Sequence, residues 1–374
     1  MPLSWGLLTS FRQMCTFVHM KANPSPVPDS ELHDLHRRLA ATRRPRLMPG
    51  AGWTRGTDPE FLDCLLQSWR ETYNWRVHEA RILGLPWESV GSNAQPIRVV
   101  HQRAETSQGP AVLLVHGWPD SVLRFEHVLP LLKDVPVVVP ALPGFPFSHE
   151  WTSPGLTVAV LAELLADAMK TLGYDRYIVS AGDIGADVAE QLAVRYPERV
   201  SALHLTNISP LHAVFADRSI LDADDRAYLD RVAAWQRQEG AYIALQSTKP
   251  FSLARGLADS PAGLAAWLVE KLHSWSETPL PEEDLLTWIS AYWFTGTIGT
   301  SFGPYVEFVP PPAYVPTPTV LSVFARDTKP APRGFASRFV NVREFIEHGH
   351  GGHFAAWEQP ELYVQDLRQS LALG

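Results

Sequence analysis

Between residues 97 and 210, short runs of branched apolar residues alternate with longer stretches in which apolar positions recur every three or four residues. The short runs are PIRVVHQRAE, AVLLVHG (111–117), VPVVVPALPG (135–144), DRYIVSAGD (175–183) and SALHLTNI (201–208). Their length and Val/Leu/Ile content predict strands buried on both faces. The stretches between them, SVLRFEHVLPLLK, LTVAVLAELLADAMKTLG and GADVAEQLAVRYP, predict helices. Alternation of this kind predicts an α/β fold, a mainly parallel sheet flanked by helices. It returns at TPTVLSVFARD (317–327) and VNVREFIEH (340–348), and a last helix follows in QPELYVQDLRQSLAL. Ligands of such sheets bind beyond the carboxyl ends of the strands, so candidate chemistry is sought just after each run.

Residues 210–315 break the rhythm with helical, aromatic-rich segments: RAYLDRVAAWQRQEG, SPAGLAAWLVEKLHSW and PEEDLLTWISAYWFTGT. A helical block of this size between two strands of one sheet predicts a cap over the carboxyl edge. Ahead of the sheet, SELHDLHRRLAATRRP predicts a helix capped by Ser30, with Leu32, Leu35 and Leu39 on one face and Pro45 as its stop. EFLDCLLQSWRETYNWRVHEARIL predicts a second helix with Phe61, Leu65, Trp69 and Tyr73 on one face. The expected division is an extension at 1–21, an N-terminal wrapping segment at 22–95, the two parts of the core at 96–209 and 316–374, and the cap at 210–315.

Composition narrows the functional classes. The chain has 374 residues, 45% hydrophobic and 19% charged, which fits an ordered globular protein. A net charge of −8 without any basic block argues against nucleic acid as a partner. Two cysteines, Cys15 and Cys64, cannot build a disulfide framework and predict a cytoplasmic setting. The 13 tryptophans supply aromatic area for an apolar pocket, although most are expected to fill the core. In residues 1–20, Arg12, Gln13 and His19 interrupt the apolar run, and no basic lead or clean cleavage site is present. A poorly ordered or loosely docked extension is expected there and no stable membrane anchor, with an amphipathic surface anchor as the alternative. The sequence leaves room for a homo-oligomer.

The run DRYIVSAGD leads through Ala181-Gly182-Asp183-Ile184-Gly185 into a helix. Small residues two before and two after a central residue suit a strand-to-helix elbow, which forces the central side chain outward on a strained turn. A carboxylate there, beside a helix N-terminus, is a nucleophile toward sp3 carbon and forms an alkyl ester. The alternative is that Asp183 only caps the helix. After AVLLVHG come Trp118 and Pro119, a candidate cis pair. The N–H groups of Trp118 and Ile184 would form an oxyanion hole, and His116 reads as a structural histidine beneath the loop. Near the C-terminus, Gly351 and Gly352 let His353 come close to the elbow as general base. Asp327, at the end of TVLSVFA, is the expected orienting acid, and the order Asp183, Asp327, His353 matches nucleophile, acid and base in α/β-hydrolases. His348, His350 and His353 could share a strand face as metal ligands, but the glycines point to a loop and no Cys or carboxylate completes the set. No metal is expected.

Together, the Asp elbow, HGWP, GGHF and the wrapping N-terminal helices resemble the α/β-hydrolase-fold epoxide hydrolases with an extended N-terminal region, the microsomal-like branch. The resemblance spans roughly residues 22–372. It is carried by VPDSELHDLHRRLAATRRP and TYNWRVHEARIL, by GAYIALQSTKP, DSPAGLAAWLVEK and YWFTGTIGTSFGPY in the cap, and by GGHFAAWEQPEL. It implies an α/β-hydrolase fold with a helical cap, and a reaction that needs no cofactor. It also implies two cap tyrosines that hydrogen-bond the epoxide oxygen, here Tyr242 in GAYIALQ and Tyr305 in FGPY. Without the resemblance Tyr242, Tyr292 and Tyr305 are equal candidates; with it, Tyr292 is packing. Phenols with pKa near 10 can donate to the alkoxide that ring opening produces.

The implied function is hydrolysis of a bulky apolar epoxide to a diol, in detoxification or secondary metabolism, with Trp118, Ile184 and Phe354 as substrate contacts. Two departures from the family pattern stand out. The elbow reads AGDIG rather than GGDWG, which puts Ile184 in place of a large aromatic. The oxyanion loop reads HGWPDS rather than HGWPGS, and Asp120 is expected to cap a helix starting at Ser121. The changed elbow keeps a second reading open, an enzyme of the same fold that activates an epoxide for attack by a carbon or other non-water nucleophile. A binding protein on an inactive hydrolase fold is the third, and the intact Asp183–Asp327–His353 set counts against it.

Overall fold

The computed structural model describes residues 22–374 apart from 49, 51, 93–94 and 106–108; the expected N-terminal extension therefore lies outside the described residues. The strands are β1 (Trp87–Val90), β2 (Ile97–Gln102), β3 (Ala111–Val115), β4 (Val137–Pro140), β5 (Tyr177–Ala181), β6 (Val200–Leu205), β7 (Val315–Arg326) and β8 (Val340–Gly352). They form one sheet in the order β1-β2-β4-β3-β5-β6-β7-β8. β2 runs antiparallel to both β1 and β4, and every other pairing is parallel. Every residue of β3, β4 and β5 is buried, as their unbroken apolar runs require. β1 escapes the apolar pattern because only its end residues, Trp87 and Val90, are buried.

The register aligns the edge that matters. Val115 pairs with Ala181 and Ala181 with Leu205, while Arg326 pairs with Gly352. Trp118, Asp183, Asn207, Asp327 and His353 therefore all follow carboxyl ends of neighbouring parallel strands. β8 runs four residues past the predicted His348, through the glycine pair. No side chain fits there: a Cβ on Gly351 would lie 2.6 Å from the Phe324 ring, and one on Gly352 would lie 2.5 Å from Trp275 O.

Three helical readings change. The helices ahead of β1 are α1 (Asp29–Ala40), α2 (Pro59–Glu71) and α3 (Trp75–Leu83). Ser30 does not cap α1; the helix begins at Asp29 after Pro28, with no side-chain cap. It also ends at Ala40, ahead of Pro45, because no large apolar side chain follows Leu39 until Leu47. The second predicted helix is two helices, since Asn74 Oδ1 accepts the N–H of Arg76 and starts a new one. SVLRFEHVLPLLK forms only two 3-10 turns, Val122–Phe125 and Leu129–Leu131, because Pro130 lacks an N–H.

α4 (Val158–Thr171) and α5 (Ile184–Arg195) pair with each other, and α5 lies on the central strands. Between β6 and β7 come α6 (Leu211–Phe215), α7 (Ala223–Glu239), α8 (Ala241–Thr248), α9 (Pro250–Asp259), α10 (Pro261–Ser274), α11 (Glu282–Thr295) and α12 (Gly303–Val306). α13 (Arg333–Ala336), α14 (Ala355–Glu358) and α15 (Pro360–Leu373) complete the chain. Among the described residues no helix is long and apolar enough to cross a membrane.

The N-terminal helices hold the inserted ones. The Trp69 indole N–H donates to Ser290 Oγ at 2.9 Å, Tyr73 and Thr287 share a hydroxyl hydrogen bond of 3.0 Å, and Thr57 donates to Ala266 O at 2.6 Å. Trp69 is 1% exposed. Trp69→Ala removes this buried indole and strands Ser290, so it should cost about 3–5 kcal/mol, read as a lower midpoint in a denaturant titration.

Candidate active site

The elbow is built on close approach. Asp183 sits at φ +56°, ψ −136°, a left-handed conformation that costs a residue with a Cβ about 1–3 kcal/mol. A Cβ on Gly117 would lie 2.3 Å from Asp183 Oδ1, one on Gly182 would lie 2.2 Å from Thr206 Oγ1, and one on Gly185 would lie 2.4 Å from Val115 O. Glycine at all three places brings the loop after β3, the end of β6 and β3 itself onto the turn. The Asp183 N–H donates to Asn207 Oδ1 at 2.7 Å, and its carboxylate accepts none of the α5 N–H groups beyond the first residue, Ile184.

That carboxylate faces three donors. The Trp118 N–H reaches Oδ1 at 2.8 Å, the Ile184 N–H also donates to the carboxylate, and His353 Nε2 stands 3.2 Å from Oδ2. Burial alone would raise the Asp183 pKa, but His353 and the two backbone N–H groups outweigh it and hold the carboxyl at about 2. His353 Nδ1 donates to Asp327 Oδ1 at 2.7 Å, and Asp327 also accepts the Thr328 N–H at 2.6 Å. Burial depresses the imidazole, yet Asp327 and Asp183 together lift it to about 9, so it is an imidazolium in the free protein. The His353 loop is fixed from three sides. Its N–H donates to Trp275 O at 2.8 Å, its C=O accepts Arg124 Nη2 at 2.6 Å, and Glu358 accepts the N–H groups of Gly352 and Phe354, both at 3.2 Å.

Asp183 and Ile184 open onto a cavity of about 810 Å3, lined also by Tyr242 and Tyr305 and by apolar side chains such as Leu229, Val232, Ile243 and Val309. The two tyrosine rings meet edge-on at 6.1 Å, and burial raises both phenols well above 10, so both stay protonated as donors. Tyr292 is elsewhere: its hydroxyl donates to Asp120 O at 3.1 Å. A side cavity of about 30 Å3 lies between Asp183, Asn207, Asp327, Lys329 and His353, enough for a water molecule.

Several expected contacts fall differently. The Trp118 indole is fully buried and does not line the cavity; it stacks on Tyr242 (5.4 Å, 9°) and meets Tyr305 edge-on (6.1 Å, 85°). Phe354 is also fully buried, packed on Trp275 and Trp288 with the Arg124 guanidinium 5.5 Å above its ring. Neither side chain lines the large cavity: Trp118 backs Tyr242 and Tyr305, and Phe354 packs edge-on against His353 at 5.2 Å. Asp120 does not cap the following turn, whose first N–H groups are served by Ser121 Oγ; its carboxylate pairs with Arg124 in the interior. His116 bridges Gly117 O and the Leu142 N–H, and burial lowers it to about 4. The three C-terminal histidines diverge: His348 pairs with Asp366 at 2.6 Å, while His350 is exposed beside Glu277. The Trp118–Pro119 bond is cis.

Four residues at the site were passed over in the sequence. Asn207 and Lys329 both follow carboxyl ends of strands, where the sheet rule directs attention. Arg124 and Asp187 carried no local signal. Asp187, one turn into α5, lines the cavity and accepts a hydrogen bond from Ser209 Oγ. Burial lifts its carboxyl to about 8, and the neighbouring Glu190 and Asp183 charges act in the same direction.

Comparison with known proteins follows the same lines. The family described as "Epoxide hydrolase N terminus" matches residues 20–125, and the family described as "alpha/beta hydrolase fold" matches residues 110–287. A Stigmatella aurantiaca protein named "Putative epoxide hydrolase" is 34% identical over 92% of this chain and 82% of its own. "Epoxide hydrolase 1" of Sus scrofa is 26% identical over 92% of this chain and 87% of its own. The solved structure of Aspergillus niger epoxide hydrolase superposes with a TM-score of 0.84 at 28% identity, covering 94% of this chain and 97% of that one.

Asp187 generates a pH-dependent expectation. Between about pH 3.9, where an unfolded aspartate ionises, and about 8, the folded side chain keeps a proton that the unfolded one has lost. Stability therefore falls as pH rises through that window. Asp187→Asn keeps the shape and removes the titration. Its melting temperature should exceed that of the unmodified protein by a few degrees at pH 8, and the gain should vanish near pH 4.

Proposed function

Because the chain belongs to the epoxide hydrolases of the α/β-hydrolase fold, we propose that it opens bulky apolar epoxides to diols through an ester on Asp183. The observation that carries this reading is the Asp183 carboxylate between two backbone N–H groups and His353, in a cavity also lined by two buried phenols.

In the first step Asp183 Oδ2 forms a bond to an epoxide carbon as the ring C–O bond breaks. Tyr242 and Tyr305 donate hydrogen bonds to the departing oxygen, which is neutralised at the net expense of the His353 proton. Oδ1 remains in the oxyanion hole and becomes the ester carbonyl oxygen, already 2.8 Å from the Trp118 N–H. Esterification removes the Asp183 charge and its hydrogen bond, two of the forces that hold His353 up at about 9. The imidazole then falls in pKa and becomes a base, with Asp327 keeping Nδ1 as the protonated nitrogen. It deprotonates water, the hydroxide adds to the ester carbon, and the charge develops on Oδ1 between the same N–H groups. Collapse releases the diol and restores the carboxylate and imidazolium. His353 Nε2 is buried, stands 3.2 Å from Asp183 Oδ2 without an aligned hydrogen bond, and its residue borders the side cavity of about 30 Å3. That volume suits water and excludes a carbon nucleophile, which favours hydrolysis over the transfer reading. The two cysteines suit a reducing, cytoplasmic setting.

His353→Gln should permit ester formation and block its hydrolysis. Mass spectrometry should find the peptide containing Asp183 heavier by the mass of the epoxide. Turnover at the unmodified rate, with no adduct, would overturn the role given to His353. In that background the rate of adduct formation reads the first step alone. Tyr242→Phe or Tyr305→Phe should each slow it, and the double change should slow it by about 100–1000-fold, roughly 2.7–4 kcal/mol. Adduct formation at an undiminished rate in the double variant would exclude phenol activation.

A further inference from the structure

Lys329 is a cation inside the cavity with no anion beside it. It follows the acid Asp327 by two residues, on the loop leaving β7, and it lines both the large cavity and the side cavity. Its ammonium rests 3.5 Å above the centroid of the Trp235 ring and donates to Thr328 Oγ1 at 3.2 Å. No carboxylate oxygen lies within 4.0 Å of it among the described residues. The other basic side chain on the cavity wall, Arg218, is paired with Asp230 at 2.6 Å.

The nearby carboxyls are taken or neutral. Asp327 serves His353 and the Thr328 N–H; Asp183 serves Trp118, Ile184 and His353; Asp187 is held in its acid form. An ammonium has three donors, and Thr328 uses one. Burial pushes the Lys329 amine down to about 8 against the attraction of Asp327 and Asp183, so desolvation here is not offset by the protein's own charges. A ligand anion would complete the site.

We propose that Lys329 is a specificity-determining residue that binds a carboxylate carried by the epoxide, so that the preferred substrates are epoxy acids with an apolar body. The inference rests on the epoxide-hydrolase reading of the same cavity and names the substrate class within it. The apolar walls hold the hydrocarbon part, while Lys329 holds the carboxylate where the large cavity, which Asp183 also lines, meets the side cavity. A competing account is that Lys329 only balances the charges of Asp183 and Asp327, and this account predicts no preference between an acid and its ester.

The test compares epoxy acids with their methyl esters in the intact protein. A series of 3-arylglycidates and ω-epoxyalkanoates varies the distance between ring and carboxylate, and styrene oxide serves as neutral reference. At least one acid should have a higher kcat/KM than its own ester, and that preference should shrink with added salt as the charge pair is screened. A hydrogen bond to a charged group is worth about 1.5–3 kcal/mol, so Lys329→Met should lower the acid-to-ester ratio about 10–100-fold, mostly through KM. Lys329→Arg should keep most of it. Esters preferred throughout the series in the unmodified protein would overturn the proposal without any variant. Equal loss on acid and ester in Lys329→Met would assign Lys329 to charge balance and overturn it as well. If styrene oxide is hydrolysed and no acid is favoured, only the Lys329 proposal fails. If none of the epoxides is hydrolysed, the epoxide-hydrolase reading fails and the proposal falls with it.

Discussion

The structure depends on how closely three backbone segments can approach Asp183. The turn is left-handed at a residue with a side chain, and it persists because Gly117, Gly182 and Gly185 each leave a gap that any Cβ would close. That crowding brings the Trp118 N–H within hydrogen-bond reach and fixes the start of α5, so the Ile184 N–H points the same way. The strain at Asp183 is held by the surrounding packing, and its return is a carboxylate that cannot turn away from the cavity.

Around this point the protein sets charges by burial and pairing. Asp183 and Asp327 flank one imidazole, and the imidazole answers with a raised pKa. In the proposed reaction the arrangement is self-switching, since the charge that stabilises the imidazolium is the one that ester formation on Asp183 would remove. Behind it a second buried pair, Asp120 and Arg124, reaches the His353 carbonyl through the guanidinium. Glu358 gathers N–H groups from the loop after Trp275 and from the His353 loop, with the Glu277 N–H at 2.7 Å. The departure at Asp120 therefore acts behind the site, on the loop that positions the histidine, rather than at a helix terminus.

The inserted helices supply the other half of the site. Tyr242 on α8 and Tyr305 on α12 meet over Trp118, which belongs to the core loop, so one indole backs both phenols. The N-terminal helices meet the inserted block through Trp69, Tyr73 and Thr57 instead of lying on the sheet. They hold α10 and α11 of that block. Ile184 at the elbow, only 8% exposed, presents an apolar side chain with no donor to the cavity beside Asp183.

Spacing along the chain made the alternating core, the elbow at Asp183, the acid after β7 and the histidine after β8 legible, because each depends on local backbone geometry and strand order. The two tyrosines were legible only through family resemblance, since many buried phenols look alike in sequence. Helix ends were misread where a short polar residue, Asn74, or a proline, Pro130, outweighed a continuous apolar pattern. Tertiary structure alone decided that the Trp118 indole and Phe354 face the interior and that Asp120 pairs with Arg124. It alone also left Asp187 protonated and Lys329 without an anion. Those outcomes depend on which distant segments pack together and how much water they exclude, and that is a property of the assembled fold rather than of any neighbourhood in the chain.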